Sequence, residues 1–330
     1  MKTITLVPLI CALISFFLVW FLTPWLIRYL RRINLVVKDQ NKKNKPLIPI
    51  SGGLVVMAGI FTGFMVYIFL QTFVYKYTNI LIYIFAALTS IMMITFVGFI
   101  DDLIIKKNKE RSSGLKKWQK PLLTLAAAIP LMVINAGTTK IYMPLIGVID
   151  VGIIYPLVFI PIGVVGAANM VNMLGGFNGL ETGLGIIYIG MLGLYAYVNG
   201  SYMGSLIALL TFASLLAFYK YNKFPAKIFP GDSLTYLLGA SLACIAILGN
   251  LEKATLIVSI PFFIEFVLKA RKKFKADSYG YYKNGKVQSK YKRIYSLPHI
   301  LTRTGKYTEK QVVYILLFIE LIFSSLIWFI

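Results

Sequence analysis

The sequence predicts an all-α integral membrane protein of about ten transmembrane helices, with its polar loops gathered on one face. Three observations predict this. Of 330 residues, 58% are hydrophobic and only 14% are charged, against about 25% charged in an ordinary soluble domain. The apolar residues fall in long runs. The basic residues, 34 against 12 acidic ones, lie between those runs. A net charge of +22 on a soluble chain would suggest nucleic acid. Distributed between apolar runs, it suggests a membrane surface and no nucleic-acid partner. The two cysteines, Cys11 and Cys244, sit inside apolar runs and build no disulfide framework. A single histidine, His299, excludes a multi-histidine metal site.

Ten runs occupy about 4–27, 52–75, 79–100, 121–136, 152–171, 182–198, 202–220, 232–249, 254–270 and 311–330. A helix needs about 20 apolar residues to cross a hydrocarbon core of roughly 30 Å. Continuous runs argue for helices, since barrel strands would alternate. The fourth run is short, and the fifth carries Pro156 and Pro161. Only Lys2 precedes the first run, whereas Arg28, Arg31 and Arg32 follow it. That order predicts a retained helix with its C-terminal end in the cytoplasm, and not a cleaved leader.

Charge also predicts the topology. Stretches 28–50 and 101–120 hold seven Lys/Arg each, 220–230 holds three and 269–310 holds thirteen. The alternate connections hold only Lys76, Lys140 and Lys253, and Lys2 precedes the first run. Such asymmetry puts the basic loops inside. An even number of spans then places both termini on the opposite side. Residues 1–330 read as one polytopic domain. Within the longest polar stretch, about 271–309, Asn284-Gly285 between strand-favouring residues predicts a small β-hairpin on the inner face.

Four clusters sit where these loops meet helix ends. Asp101-Asp102 closes the third run. Two adjacent carboxylates suit a divalent cation or a general base. At a helix C-terminus they oppose the macrodipole, so some compensation is expected. The second cluster runs from Asn169 to Glu181. Asn169 and Asn172 share a helix face, Gly175, Gly176 and Gly179 permit close backbone approach, and Asn178 and Glu181 repeat the three-residue spacing. Amide oxygens can ligate Mg²⁺, and a helix start favours phosphate. An interhelical amide contact with a glycine turn explains the same residues. The third, Phe229-Pro230-Gly231-Asp232-Ser233, taken alone reads first as an ordinary helix start capped by Asp232 or Ser233. The fourth is basic: Lys116, Lys117 and Lys120 before the fourth run, with Arg271, Lys272, Lys273 and Lys275 after the ninth. Such residues bind anionic head groups or a polyphosphate substrate. Together the clusters imply polyphosphate chemistry at the inner surface. No Walker or protein-kinase loop is present in the sequence.

In order and spacing, Pro49–Gly53, Gly98–Asp102, Asn169–Glu181 and Phe229–Ser233 resemble the polyprenyl-phosphate N-acetylhexosamine-1-phosphate transferase superfamily. The closer resemblance is to its eukaryotic and archaeal branch, the UDP-N-acetylglucosamine–dolichyl-phosphate N-acetylglucosamine-1-phosphotransferases. It spans essentially the whole chain. The bacterial cell-wall branch has acidic residues where this chain has Gly175 and Asn178, and paired histidines where this chain has only His299.

That resemblance implies a ten-helix enzyme. It would transfer N-acetylglucosamine-1-phosphate from UDP-N-acetylglucosamine to a polyprenyl (dolichyl-type) phosphate and release UMP, the first step of lipid-linked glycan assembly. It further implies Asn172 and Asp232 as Mg²⁺ ligands, with Mn²⁺ a possible substitute. Lys120 would contact the transferred phosphate. Asn169 and Asn178-Gly179-Leu180-Glu181 would contribute to the nucleotide-sugar site. Arg271 and Lys273 would grip the diphosphate, although the family more often has arginine at the latter position. Asp101 or Asp102 would position or deprotonate the lipid phosphate for direct in-line attack, with a covalent aspartyl intermediate as the alternative. A homodimer and lateral lipid contact are further family expectations. Alternatives are another UDP-sugar or undecaprenyl phosphate and, in different classes, a transporter or lipid flippase and a non-catalytic scaffold. A transporter would place its polar residues near the bilayer midplane.

Overall fold

Hydrophobic runs long enough to satisfy their own backbone fold as helices, and the computed structural model is a helical bundle. It describes residues 2–105, 114–116, 118–143 and 147–330. Lys117, one of the basic residues singled out above, lies outside them. The helices are α1 (Lys2–Arg32), α2 (Gly53–Phe69), α3 (Leu81–Ile105), α4 (Gln119–Ala126), α5 (Ile129–Ile134) and α6 (Ile160–Met173), followed by α7 (Leu180–Val198), α8 (Tyr202–Asn222), α9 (Gly231–Gly249), α10 (Glu252–Val258), α11 (Ile260–Ala270), α12 (Pro298–Thr302) and α13 (Glu309–Ser325).

Among the described residues, eight helices are long and apolar enough to cross a membrane unaided. The fourth and ninth runs, expected as single spans, are each broken in two. Pro130 and Pro261 stand at the second positions of α5 and α11. A proline there has no N–H for the preceding turn and its ring crowds the carbonyl four residues back. Both halves of the fourth run pack along α3 and α6, so α4 and α5 together take the place of one span. In the fifth run a π-helical turn, Tyr155–Phe159, precedes α6 and accommodates Pro161.

At the centre stands α9, packed against α2, α3, α6, α7 and α8 and buried along nearly its whole length. Its small residues permit this, because without water between helices close backbone approach supplies the packing. Gly239 lies against the backbone of Ala167 and Ala168 on α6, leaving no space for a side chain. Around this centre, α1 turns Leu13, Phe17, Phe21 and Trp25 outward, as a lipid-facing helix does.

Among the described residues, three two-stranded hairpins lie between the helices. The anticipated one, in the last loop, is the third in chain order. β1 (Val36–Lys38) pairs antiparallel with β2 (Leu47–Pro49), and β3 (Lys140–Met143) with β4 (Gly147–Asp150). β5 (Tyr281–Lys283) pairs with β6 (Lys286–Gln288) around Asn284 and Gly285, whose φ angles of 49° and 81° give the tight turn their sequence predicts. The first two hairpins carry no comparable turn signal. A capping box, Thr308 with Gln311, starts α13.

Candidate active site

The catalytic candidates meet where α3, α4, α6 and α9 end together. Consecutive residues of a helix point about 100° apart, so the adjacent aspartates at the end of α3 face different partners. Asp102 is fully buried and turns toward α9. One of its oxygens accepts the Asp232 backbone N–H at 2.7 Å. The other accepts the Ser233 N–H at 3.2 Å and the Ser51 hydroxyl at 2.8 Å. Asp102 therefore caps α9 from another helix. Neither Asp232 nor Ser233 supplies the local side-chain cap that Pro-Gly-Asp-Ser suggested. The positive end of α9 offsets the unfavourable position of Asp102 at the negative end of α3. Gly231 makes this possible: its φ is +72°, and a β-carbon there would strike the Asp102 carboxylate. Gly98 similarly lets α3 approach the first turn of α9.

Asp101 turns toward α4. One oxygen accepts the Leu115 N–H, and the other pairs with the Lys120 ammonium. That same ammonium reaches Oδ2 of Asp232 at 2.9 Å. Asn172, in the last turn of α6, donates its amide N–H to the same Asp232 oxygen at 3.2 Å, while its amide oxygen accepts the Thr235 hydroxyl at 2.7 Å. Thus Asp101, Lys120, Asn172 and Asp232, four residues from four helices, form one connected centre.

Lys120, Asn172 and Asp232 line a cleft of about 210 Å³. Across it lie Gly175, Gly176 and Glu181, with Lys269 and residues 276–279 from the last loop. Glu181 accepts the Gly176 N–H at 2.7 Å, which holds the glycine turn at the cleft wall.

Other predicted residues are elsewhere. Asn169 turns toward α4, donating to the Val165 carbonyl at 2.8 Å and the Thr124 hydroxyl at 3.3 Å. Asn178 is buried and spends its amide on the framework. Its oxygen accepts the Ala226 N–H at 2.7 Å, and its nitrogen donates to Glu309 at 2.7 Å and Asp39 at 3.0 Å. Gly179 takes φ +85° against Lys223, and Leu180 is wholly buried. Of the run Asn178–Glu181, only Glu181 lines the cleft. Arg271 reaches the Ile294 carbonyl at 3.3 Å and lies over the Tyr295 ring, and Lys273 occupies the turn after α11 with φ 52°. Neither lines the cleft among the described residues.

Several contributors carried little or no sequence signal. Lys269 is the buried basic residue beside the cleft, donating to the Ala276 carbonyl and the Ser278 hydroxyl, each at 2.7 Å. Glu265, one turn earlier and fully buried, accepts the Ser296 hydroxyl at 2.6 Å and the Leu297 N–H at 2.7 Å. It fastens the last loop to α11. Their four-residue spacing and the cost of an intramembrane carboxylate were the available signals. Asp39 and Glu309, which together hold Asn178 and lie beside Lys42, carried none. Glu320, within α13, accepts the Ser324 hydroxyl at 2.8 Å and lies outside this centre.

Among the described residues no three His, Cys, Asp or Glu side chains form a metal cage. The donors present, two convergent carboxylates and an amide, are a set that suits Mg²⁺, an ion that keeps several waters and takes few protein ligands. A cation already sits between the carboxylates, the Lys120 ammonium. For Asn172 to ligate through oxygen its amide must turn over, and the Thr235 hydroxyl permits this because it accepts as well as donates.

Similarity to known proteins agrees with the geometry. The family model for glycosyl transferase family 4 matches residues 82–250, which include all but the first residue of α3 and all four residues of the centre. A Saccharolobus solfataricus protein named "Putative UDP-N-acetylglucosamine--dolichyl-phosphate N-acetylglucosaminephosphotransferase" is 38% identical over 325 residues, covering 94% of this chain and 93% of its own. A protein of the same name from Sulfolobus acidocaldarius is 30% identical, covering 96% and 94%. A phospho-N-acetylmuramoyl-pentapeptide-transferase from Lactiplantibacillus plantarum is 34% identical over 259 residues, covering 76% and 78%. Matched across half its length by the family model and along nearly all of it by these relatives, the chain belongs to glycosyl transferase family 4.

Proposed function

We propose that this chain is a Mg²⁺-dependent transferase that moves N-acetylglucosamine-1-phosphate from UDP-N-acetylglucosamine to a dolichyl-type polyprenyl phosphate and releases UMP. The observation that carries the reading is the convergence of Lys120, Asn172 and Asp232 on one wall of a cleft, with Asp101 buried behind Lys120. Two relatives named for this activity match the chain nearly end to end, which supports the choice of sugar and lipid.

Phosphoryl transfer depends chiefly on placement and charge. Lys120 offers an ammonium to the transferred phosphate at the mouth of the centre. Asp101 holds that ammonium in position and, through its second oxygen, the loop at Leu115. Asp102 fixes the first turn of α9 and so the backbone of Asp232. Asp232 and Asn172 would hold Mg²⁺, which when bound neutralises the diphosphate and the departing UMP. Glu181 and the glycine turn form the opposite wall for the nucleotide sugar. The basic loops at this end of the bundle support a cytoplasmic site, with both termini across the membrane. The polar side chains of the cleft gather at helix ends and not at mid-depth, which favours an enzyme over a transporter.

Purified full-length protein should release UMP from UDP-N-acetylglucosamine only when Mg²⁺ and a polyprenyl phosphate are both present. A panel of UDP-sugars crossed with dolichyl and undecaprenyl phosphates fixes the pair. Preference for UDP-N-acetylmuramoyl-pentapeptide would instead favour the activity for which the bacterial relatives are named. Lipid movement without UMP release would refute the transferase reading.

A further inference from the structure

The Lys120 ammonium stands where two carboxylate oxygens converge, touching Oδ2 of Asp101 and Oδ2 of Asp232. It comes from the first turn of α4, on a long flexible stem that is partly exposed at the cleft. Asp102 shares none of this charge, because its oxygens are committed to α9 and Ser51. The pair Asp101 and Asp232 thus turns two carboxylate oxygens onto one ammonium. These oxygens are already gathered for a cation.

We infer that Lys120 is an exchangeable counter-cation, which occupies the metal-binding carboxylate of Asp232, beside Asp101, until a divalent ion arrives with the diphosphate. The inference rests on the Mg²⁺-dependent reading above. In a cleft without substrate, the ammonium must leave Asp232 before an ion can take it, and among the described residues no carboxylate but Asp101 and Asp232 lies within 4 Å of it. Divalent-ion binding is therefore weak. A diphosphate removes that penalty, because the displaced ammonium swings onto a phosphate oxygen. Metal and nucleotide then strengthen each other by one common factor, as linkage requires. The lysine delays metal loading until there is substrate to act on, and the exchange delivers its charge to the transferred phosphate. Arginine would serve less well, since its planar fork would grip both carboxylates at once.

Mn²⁺ binding to the purified full chain, followed by the electron-paramagnetic-resonance signal of the free ion, tests this without turnover. Wild type should bind Mn²⁺ weakly alone and at least about tenfold more tightly with saturating UDP. Lys120→Gln should bind Mn²⁺ at least about tenfold more tightly than wild type without UDP, and gain less from UDP. Lys269→Gln removes a charge from the same cleft without touching either carboxylate, and should leave Mn²⁺ affinity within about twofold. Lys120→Arg keeps the charge, covers the case in which the glutamine variant does not fold, and should bind Mn²⁺ no more tightly than wild type. If wild type binds Mn²⁺ and Lys120→Gln binds it no better, or if Lys120→Arg binds it better, the exchange is wrong and the metal site stands. If Mn²⁺ binds neither wild type with UDP nor Lys120→Gln, the metal reading falls and the exchange with it.

Discussion

Asp101 and Asp102 are neighbours in sequence, yet the structure predicts opposite consequences for replacing them by asparagine. Asp102 accepts three hydrogen bonds, two from the orphan backbone donors at the start of α9. Asparagine leaves one oxygen for both, and turns an N–H toward the other. Losing one hydrogen bond to a charged acceptor costs about 1.5–3 kcal/mol. Removing the charge that faces the helix dipole costs about 0.3–1 kcal/mol more. Asp102→Asn should therefore destabilise the fold by about 2–4 kcal/mol. Asp101→Asn keeps an oxygen for the Leu115 N–H and leaves Lys120 paired with Asp232, so it should destabilise the fold less than Asp102→Asn does while UMP release collapses. Thermal unfolding in detergent, followed by tryptophan fluorescence, reads the first effect, and turnover of the folded fraction reads the second. Equal melting temperatures for the two variants would refute the division of labour between the aspartates.

Three further expectations follow from the last loop and its anchors. Glu265→Gln weakens the grip of α11 on Ser296 and Leu297. It should raise KM for the nucleotide sugar by about tenfold, or 1.4 kcal/mol, with a smaller effect on kcat, and should speed proteolysis within 271–309. Asn178→Ala leaves the Ala226 N–H and two carboxylates short of a partner, so it should lower the melting temperature sharply while KM of the surviving folded enzyme stays within about twofold. His299 is buried between the Tyr295 N–H and the Asp277 carbonyl, and burial pushes its pKa down to about 4. The unfolded chain binds a proton near pH 6.5 that the native ring refuses, so stability falls as pH drops from about 6.5 toward 4. His299→Gln should lose less stability over that interval, and turnover between pH 6 and 8 should show no step that this variant removes.

Much of the fold was legible because its signals are one-dimensional. Apolar length gives spans, and Asn284-Gly285 gives its hairpin. Continuity across Pro130 and Pro261 was harder to read, since a proline in an apolar run can kink a helix or end it. The site was legible as a set of motifs but not as a set of orientations. Spacing placed Asn169 and Asn172 on one face, yet only Asn172 reaches Asp232, because the helix ends one turn later. Asn178 and Glu181 share the same three-residue spacing, yet the left-handed turn at Gly179 sends them in opposite directions. The capping of α9 by Asp102 joins residues 130 apart, a distance over which no local pattern operates. Lys269 was hidden among thirteen basic residues of its stretch because charge alone does not distinguish a lysine in a cleft from one at a lipid surface.

The most direct test of the account is lipid-phosphate-dependent UMP release by Asp232→Asn. This variant keeps its backbone N–H on Asp102 and so should fold and partition into the membrane like wild type. If Asp232 joins α9 to the transfer centre, turnover should fall by at least about a hundredfold, in line with the loss of a positioned charge at a reacting group. Release within a fewfold of wild type, from protein of unchanged melting temperature, would contradict it.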